Sequence, residues 1–400
     1  MRASFFFGLV FLFGVGLLAP LSAQTIELEG ITKEGDRVQQ RSLVLNLPNA
    51  ELANLARLAL NLHGGIELRA AEPADFTVAI TPTSPRAVSV TISSRGQVLA
   101  TEVASAQTQE DALIAGLDYV LARLFGTPGW LGSEIAFVSD RTGHREIYHS
   151  DLLFRRARQM TTDANEAVLP ALAPNGSQIL YTSYHRTGFP DMFSLDLRTN
   201  ERRTFAAFRG VNTGARFSPD GRRVALILTG SDNAEIFLTT PDGRNFNRLT
   251  TTRALEADPS WSPDGRRLAL TSDALGKPQI YTIPVTGGVP RRVATNLSRH
   301  CAEPAWNPRD ANLLAFTAAM AGEFEIALYD FTAAESTVLT RGRGDAIRAQ
   351  WLADGRHLVY TERVGSRQRL MVLDTVTRRA VPLSPARFGN AAQADIAPPR

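Results

Sequence analysis

One segment, Pro259-Ser-Trp-Ser-Pro-Asp-Gly-Arg-Arg-Leu-Ala-Leu-Thr271, returns with small edits down the last two thirds of the chain. Its copies centre on Ala171 to Gly176, Arg216 to Gly221, Ser260 to Gly265, Ala305 to Asp310 and Gln350 to Gly355. Measured from Leu172 through Phe217, Trp261, Trp306 and Trp351, the steps are 45, 44, 45 and 45 residues. A fixed period of this length is that of a propeller blade, a four-stranded unit that cannot bury its own apolar faces and must stack on neighbours.

The turn chemistry agrees with that reading. Asp-Gly between apolar runs is a hairpin signal, because Gly accepts a positive φ and Asp bonds nearby amides. Each such turn is read as joining the inner strand of a blade to its second strand. Apolar runs follow at 178–182, 224–228, 268–271, 313–317 and 358–361. A third strand such as 279–283 and a short outer strand such as 291–295 complete four per period.

A first blade starts near Ser133 without its inner strand. The run 135–143 matches 180–188 in kind, and Glu146-Ile-Tyr148 matches Asp191-Met-Phe193. The missing strand is expected from the other end of the chain, where Gln393 to Pro398 resembles Glu256 to Trp261. That closure makes six blades and removes the open edges of a row.

Ahead of the repeats, residues 1–23 carry Arg2, an apolar run over 5–18 and a small residue, Ala23, at a cleavage position; they read as a secretory signal. The residue after the cut is Gln24, so no lipid-bearing Cys is expected there, and the mature chain is expected not to span a membrane. Residues 24–47 are read as an arm, with 42–47 alternating like a strand. Leu52, Leu55, Ala56, Leu58, Ala59 and Leu62 fall on one helical face that Gly64-Gly65 ends. Strand runs at 66–69, 76–81, 88–93 and 98–103 follow, then a helix over 109–125. The expected organisation is an N-terminal α/β domain over 24–126, a linker at 127–132 and a propeller over 133–400. The fold class is mainly β, a six-bladed propeller preceded by a small α/β domain.

The order of these parts, with Phe217-Ser-Pro-Asp-Gly221 and Trp261-Ser-Pro-Asp-Gly265 in the repeats and a lone closing strand, resembles the TolB family of periplasmic propeller proteins of the Tol-Pal system. The resemblance covers nearly the whole mature chain, although the region before Leu47 does not match the family's N-terminal segment. It implies a periplasmic scaffold that binds the peptidoglycan-associated lipoprotein by one propeller mouth and TolA by the N-terminal region. It implies service to outer-membrane integrity and to envelope constriction during division, with other envelope proteins as further partners. A monomer with no cofactor and no catalytic or metal residues is the expectation.

Alternatives from other classes remain: a metal-dependent carbohydrate lyase or peptidase-related propeller, or one that captures peptides or glycans. The Gly-x-Ser-x-Gly elbow of a hydrolase, which strains the nucleophile into reach of a base, is absent. His144, His185 and His300 fall in loops on one mouth, and solvated loop histidines are the preferred reading. Lys occurs only at Lys33 and Lys277 in a chain of net charge +3, and no basic block interleaves with aromatics, so no nucleic-acid partner is expected. Cys301 is the single cysteine and is read as a small buried hydrophobe. Arg222-Arg223 and Arg266-Arg267 are read as solvated hairpin faces, and the repeated Trp residues as packing between blades.

Candidate partner-binding residues lie in the loops between blades, which gather on one rim. They are Asn165, Glu166, Asn212, Arg253, Glu256, Arg299, His300, Glu303, Arg343 and Asp345. Mixed charges and amides around a central depression suit a specific protein contact.

Overall fold

A computed structural model describes residues 40–230 and 233–399. The expected signal, residues 1–23, and most of the expected arm lie outside the described residues.

The N-terminal unit is a five-stranded sheet with two helices: β1 (Arg41–Asn46), α1 (Ala50–Asn61), β2 (Ile66–Arg69), β3 (Phe76–Ser84), β4 (Ala87–Ser94), β5 (Gln97–Ser105) and α2 (Gln109–Phe125). The sheet order is β2-β1-β3-β4-β5, with β1 parallel to both of its neighbours. The last stretch of the expected arm is therefore an inner strand of the sheet. Leu43 of β1 is fully buried, and an interior strand cannot leave without stripping two ladders of hydrogen bonds.

Local chemistry sets the helix ends. The Asn49 side chain accepts the Leu52 N–H at 3.0 Å, and Thr108 Oγ1 accepts that of Asp111 at 3.1 Å. Gly126 closes α2 in the left-handed region at φ 68°.

Six four-stranded blades follow. Blade 1 is Ala391–Ala397, Glu134–Ser139, Glu146–Asp151 and Arg158–Gln159, so its inner strand comes from the end of the chain. That strand runs antiparallel to Glu134–Ser139, pairing Ala391 with Ser139 and Ala397 with Glu134. Blades 2 to 6 take their inner strands from Ala167–Leu172, Asn212–Phe217, Glu256–Trp261, Cys301–Trp306 and Asp345–Trp351.

Trp261, Trp306 and Trp351 are buried. Trp261 Nε1 donates to the Arg216 carbonyl of the preceding blade at 3.0 Å, and Trp351 Nε1 to that of Ala305 at 2.9 Å. The second Arg of each pair completes this seam. Arg223 lies 4.8 Å from the Trp261 ring centre and Arg267 lies 4.7 Å from that of Trp306, each reaching onto the next blade. The expectation of solvated faces thus fails for Arg223 and Arg267: their planar groups cover indole faces that would otherwise stay wet. Cys301 is fully buried, and burial pushes its thiol up.

The two units share one hydrophobic core. Leu113, Leu117 and Leu121 of α2 join Trp130, Phe137 and Phe154 of the first blade region and Leu352, Val359 and Val372 of blade 6. The segment expected as a linker is packed into this core, with Trp130 and Leu131 buried. Asp118 of α2 accepts the N–H groups of Trp130, Leu131 and Gly132 at 2.7, 2.8 and 3.0 Å. Burial nonetheless pushes its carboxyl up to about 6. Arg155 of blade 1 reaches Asp111 at the start of α2, at 2.8 Å.

Candidate partner-binding mouth

The Asp-Gly turns define a lower mouth, and the loops between blades gather at the upper one. Each inner strand is interrupted midway by a bulge where its pairing shifts register. Each bulge holds a residue in the left-handed region: Leu169, Gly214, Asp258, Glu303, Arg348 and Gln393. The bulge turns backbone groups toward the channel. Glu303 N–H donates to Thr271 Oγ1 in the preceding blade at 3.0 Å, and Gln393 N–H to Thr361 Oγ1 at 3.1 Å. Leu169 N–H reaches the Gln393 side chain at 2.9 Å. Bulged strands are thereby tied blade to blade around the axis.

At mid-depth Arg348 plugs the channel. Its Nε lies 3.1 Å from Glu303, and its Nη1 lies 3.6 Å from Asp258. Glu303 also accepts Thr317 Oγ1 at 2.8 Å and the Arg348 N–H at 2.9 Å. Above the plug is a polar cavity of about 310 Å³ whose lining includes Arg145, His300, Glu303, Phe324, Arg363 and Gln393. Below it is a more apolar cavity of about 390 Å³ ringed by Pro174, Pro219, Pro263, Pro308 and Pro398. The upper cavity, walled by ionic and amide groups, has the chemistry of a protein-contact surface.

The ten candidate residues divide in the structure. Asn165, Arg253, Arg299 and Arg343 are exposed on the upper rim. His300 and Glu303 line the cavity. Glu166 pairs with Arg145, and Asp345 accepts from Arg363 at 2.7 Å and from the Phe324 N–H at 2.9 Å, so both latch neighbouring loops. Asn212 and Glu256 are buried and offer a partner no surface. Asn212 instead holds its loop, donating to the Phe208 carbonyl at 2.8 Å and accepting the Phe208 N–H at 2.9 Å.

Arg348, Arg363 and Gln393 were not among the candidates, although they contribute more to the channel than most of them. A signal for the bulges was present in the sequence. Leu169, Gly214, Asp258, Glu303 and Arg348 each stand three residues before the apolar marker of the repeat, so they share its period.

Among the described residues, one buried group has the composition of a metal site. His63, His357 and Asp374 offer atoms within 4.8 Å of one another at the junction of the two units. The Gly65 N–H donates to His63 Nδ1 at 3.0 Å, so the neutral ring carries its proton on Nε2, the atom that would have to bind the ion. That donor set does not fit a cation. The group instead fastens the α/β unit to blade 6: His63 stacks on Phe125 at 3.9 Å and meets His357 edge-on at 4.5 Å.

The model of the TolB beta propeller domain matches residues 121–395, more than half of the chain. The chain belongs to the TolB family. It is similar to a Protein TolB homolog of Chlorobium luteolum, with 29% identity over 42% of this chain and 38% of that one. It is 34% identical to a Tol-Pal system protein TolB of Desulfosudis oleivorans over 33% of this chain and 30% of that one. These matches span about a third of the length of each relative. The crystal structure of TolB from Acinetobacter baumannii superposes with a TM-score of 0.79 at 22% identity, covering 90% of this chain and 97% of the other. That likeness establishes the shared fold over both units. No helix among the described residues is long and apolar enough to cross a membrane.

Proposed function

We propose that this TolB-family chain is a non-enzymatic component of the Tol-Pal system in the periplasm. In this reading it holds the peptidoglycan-associated lipoprotein at the upper mouth of the propeller and TolA by its N-terminal region, in support of outer-membrane integrity and constriction. The observation that carries the reading is the upper mouth, where a polar cavity opens and the loops between blades leave Arg253, Arg299 and Arg343 exposed. Exposed Arg beside a desolvated pocket is a common anchor of protein interfaces.

The test is calorimetric titration with the soluble domain of the same organism's peptidoglycan-associated lipoprotein. Binding that weakens at least about tenfold when Arg253, Arg299 and His300 are all replaced by Ala is the expected result, since tenfold needs only ~1.4 kcal/mol. Absence of heat at high concentration from a folded protein would sink the reading.

A further inference from the structure

Blades 1, 3 and 5 share a buried clasp at the upper end of the third strand. Thr161 Oγ1 donates to Glu146 and Thr250 Oγ1 to Glu235, each at 2.5 Å, and Thr340 Oγ1 donates likewise to Glu325. The same hydroxyls accept the N–H groups of Ile147, Ile236 and Ile326, each at 2.9 Å. Each Glu is buried at a junction with the next blade. Twenty-one residues further on in each case, the next inner strand contributes Ala167, Glu256 and Ala346 respectively. The backbone confirms the equivalence for two of them, as Ala167 N–H donates to Arg145 and Glu256 N–H to Ala234, both at 2.9 Å.

The junction of blades 3 and 4 therefore places a second buried acid where two other clasps have alanine. Glu256 Oε1 accepts Thr252 Oγ1 at 2.6 Å, while among the described residues its buried Oε2 meets no N–H or hydroxyl donor. Glu235 is held by Thr250 and by Arg248 Nη2 at 2.6 Å. Among the described residues, the charged groups on the surrounding elements are Glu235 and Arg248 of blade 3, Arg253 on the loop itself, and Asp273 of blade 4, which accepts the Leu255 N–H at 2.8 Å. Two dry carboxylates facing one guanidinium cannot both ionise cheaply.

We propose that Glu235 and Glu256 share one proton and act as a proton-sensitive latch on the rim loop 250–256, holding it in its partner-binding shape when protonated and loosening it when the proton leaves. As regulation of the upper mouth, this rests on the reading under Proposed function; as a property of the loop, it does not. Burial and the neighbouring Glu235 carboxylate push Glu256 up to about 7. Against its own burial, hydrogen bonds from Thr250, Glu256 and Arg248 hold Glu235 below the usual range. The folded state thus carries a proton that the unfolded chain gives up nearer pH 4.5. The latch is complete on the acid side, weakens as pH rises toward 7, and stays open above it.

The test is hydrogen exchange of segment 250–256 from pH 5.5 to 8.5, corrected for intrinsic rates, in the full chain and in Glu256→Gln and Glu235→Gln. Protection in the parent protein should fall about tenfold between pH 6 and 8, following the population of the protonated pair. Glu256→Gln, which keeps the shape and cannot ionise, should show a flat profile at the protected level. Glu235→Gln removes the facing charge and should move the transition well below pH 6. A parent profile without a step, or an unchanged step in Glu256→Gln, would overturn the latch. Titration with the lipoprotein domain at pH 6 and 8 then separates the two ideas. An exchange step without lipoprotein binding at either pH keeps the latch and rejects the partner. Binding whose affinity ignores both pH and Glu256→Gln rejects the latch as a regulator.

Discussion

The carboxylate of Asp395 accepts the backbone N–H of Leu172 at 2.7 Å, joining the last strand of the chain to blade 2 across 223 residues of sequence. The ring is closed by side-chain chemistry in the channel wall as well as by the strand ladder of blade 1. Deleting residues 391–400 would expose the edge of Glu134–Ser139 and strip Phe137 and Val138 of neighbours. Such a chain should lose cooperative unfolding and aggregate, as judged by scanning calorimetry and gel filtration. Burial raises the Asp395 carboxyl. Asp395→Asn, which keeps an acceptor and carries no charge, should therefore cost less than Asp395→Ala, for which about 1–3 kcal/mol is expected by urea denaturation.

Arg223→Ala should cost about 1–2 kcal/mol, because it uncovers the Trp261 face and removes the 2.6 Å bond to the Gly265 carbonyl. Its neighbour Arg222, whose side chain makes no described contact of this kind, should change stability by less than about 0.5 kcal/mol. Equal effects in urea titration would refute the seam role of Arg223.

Arg348→Ala leaves Glu303 and Asp258 without their shared cation inside the channel. Loss of one partner from a fully buried pair costs about 3–5 kcal/mol, and this partly exposed group should lose less than that. Arg348→Ala/Glu303→Gln should recover part of that loss, since the stranded charge is then gone. A double variant no more stable than the single one counts against the ionic plug.

The junction of the two units should lose stability toward both acid and alkali, through opposite titrations. Burial, with His357 and Arg356 close by, holds His63 well below its usual 6.5. Below that pH the unfolded chain binds a proton that the folded ring refuses, so stability falls as pH drops. For His357, burial acts in the opposite direction, and Asp354 and Asp374 outweigh it to raise the ring. Its contribution is complete below 6.5 and is lost as pH climbs through the raised value. In calorimetric melting from pH 5 to 9, His63→Gln should flatten the acid limb relative to the parent, and His357→Gln the alkaline limb. The same limb flattening in both variants would contradict the assignment.

The architecture was legible in the sequence because it rests on short-range rules repeated at a fixed interval. Asp-Gly turns, alternating apolar runs and a period near 45 residues specify four strands per unit wherever they occur. The lone Gln393 to Pro398 strand could be matched to a first blade lacking one. The bulges are encoded at the same period but not by residue type, since a left-handed Asp258, Glu303 or Arg348 has no signature of the kind Gly214 has. Exposure was less legible still. Asn212, Glu256, Arg299 and His300 look alike as polar loop residues, and only the stacking of blade on blade buries the first two while leaving Arg299 on the rim.

The sequence by itself determined the number of blades, their internal strand order, the helices and the partner strand that closes the ring. Tertiary structure alone decided that His63 meets His357, that Trp130 anchors the supposed linker, that Arg348 plugs the channel and that Glu256 faces Glu235. The physical reason is range. Turn formation and strand alternation are settled within a few residues of chain, where identity and spacing suffice. Desolvation and charge pairing depend on which distant groups share a dry volume, and that is fixed only when the blades and the α/β unit have packed.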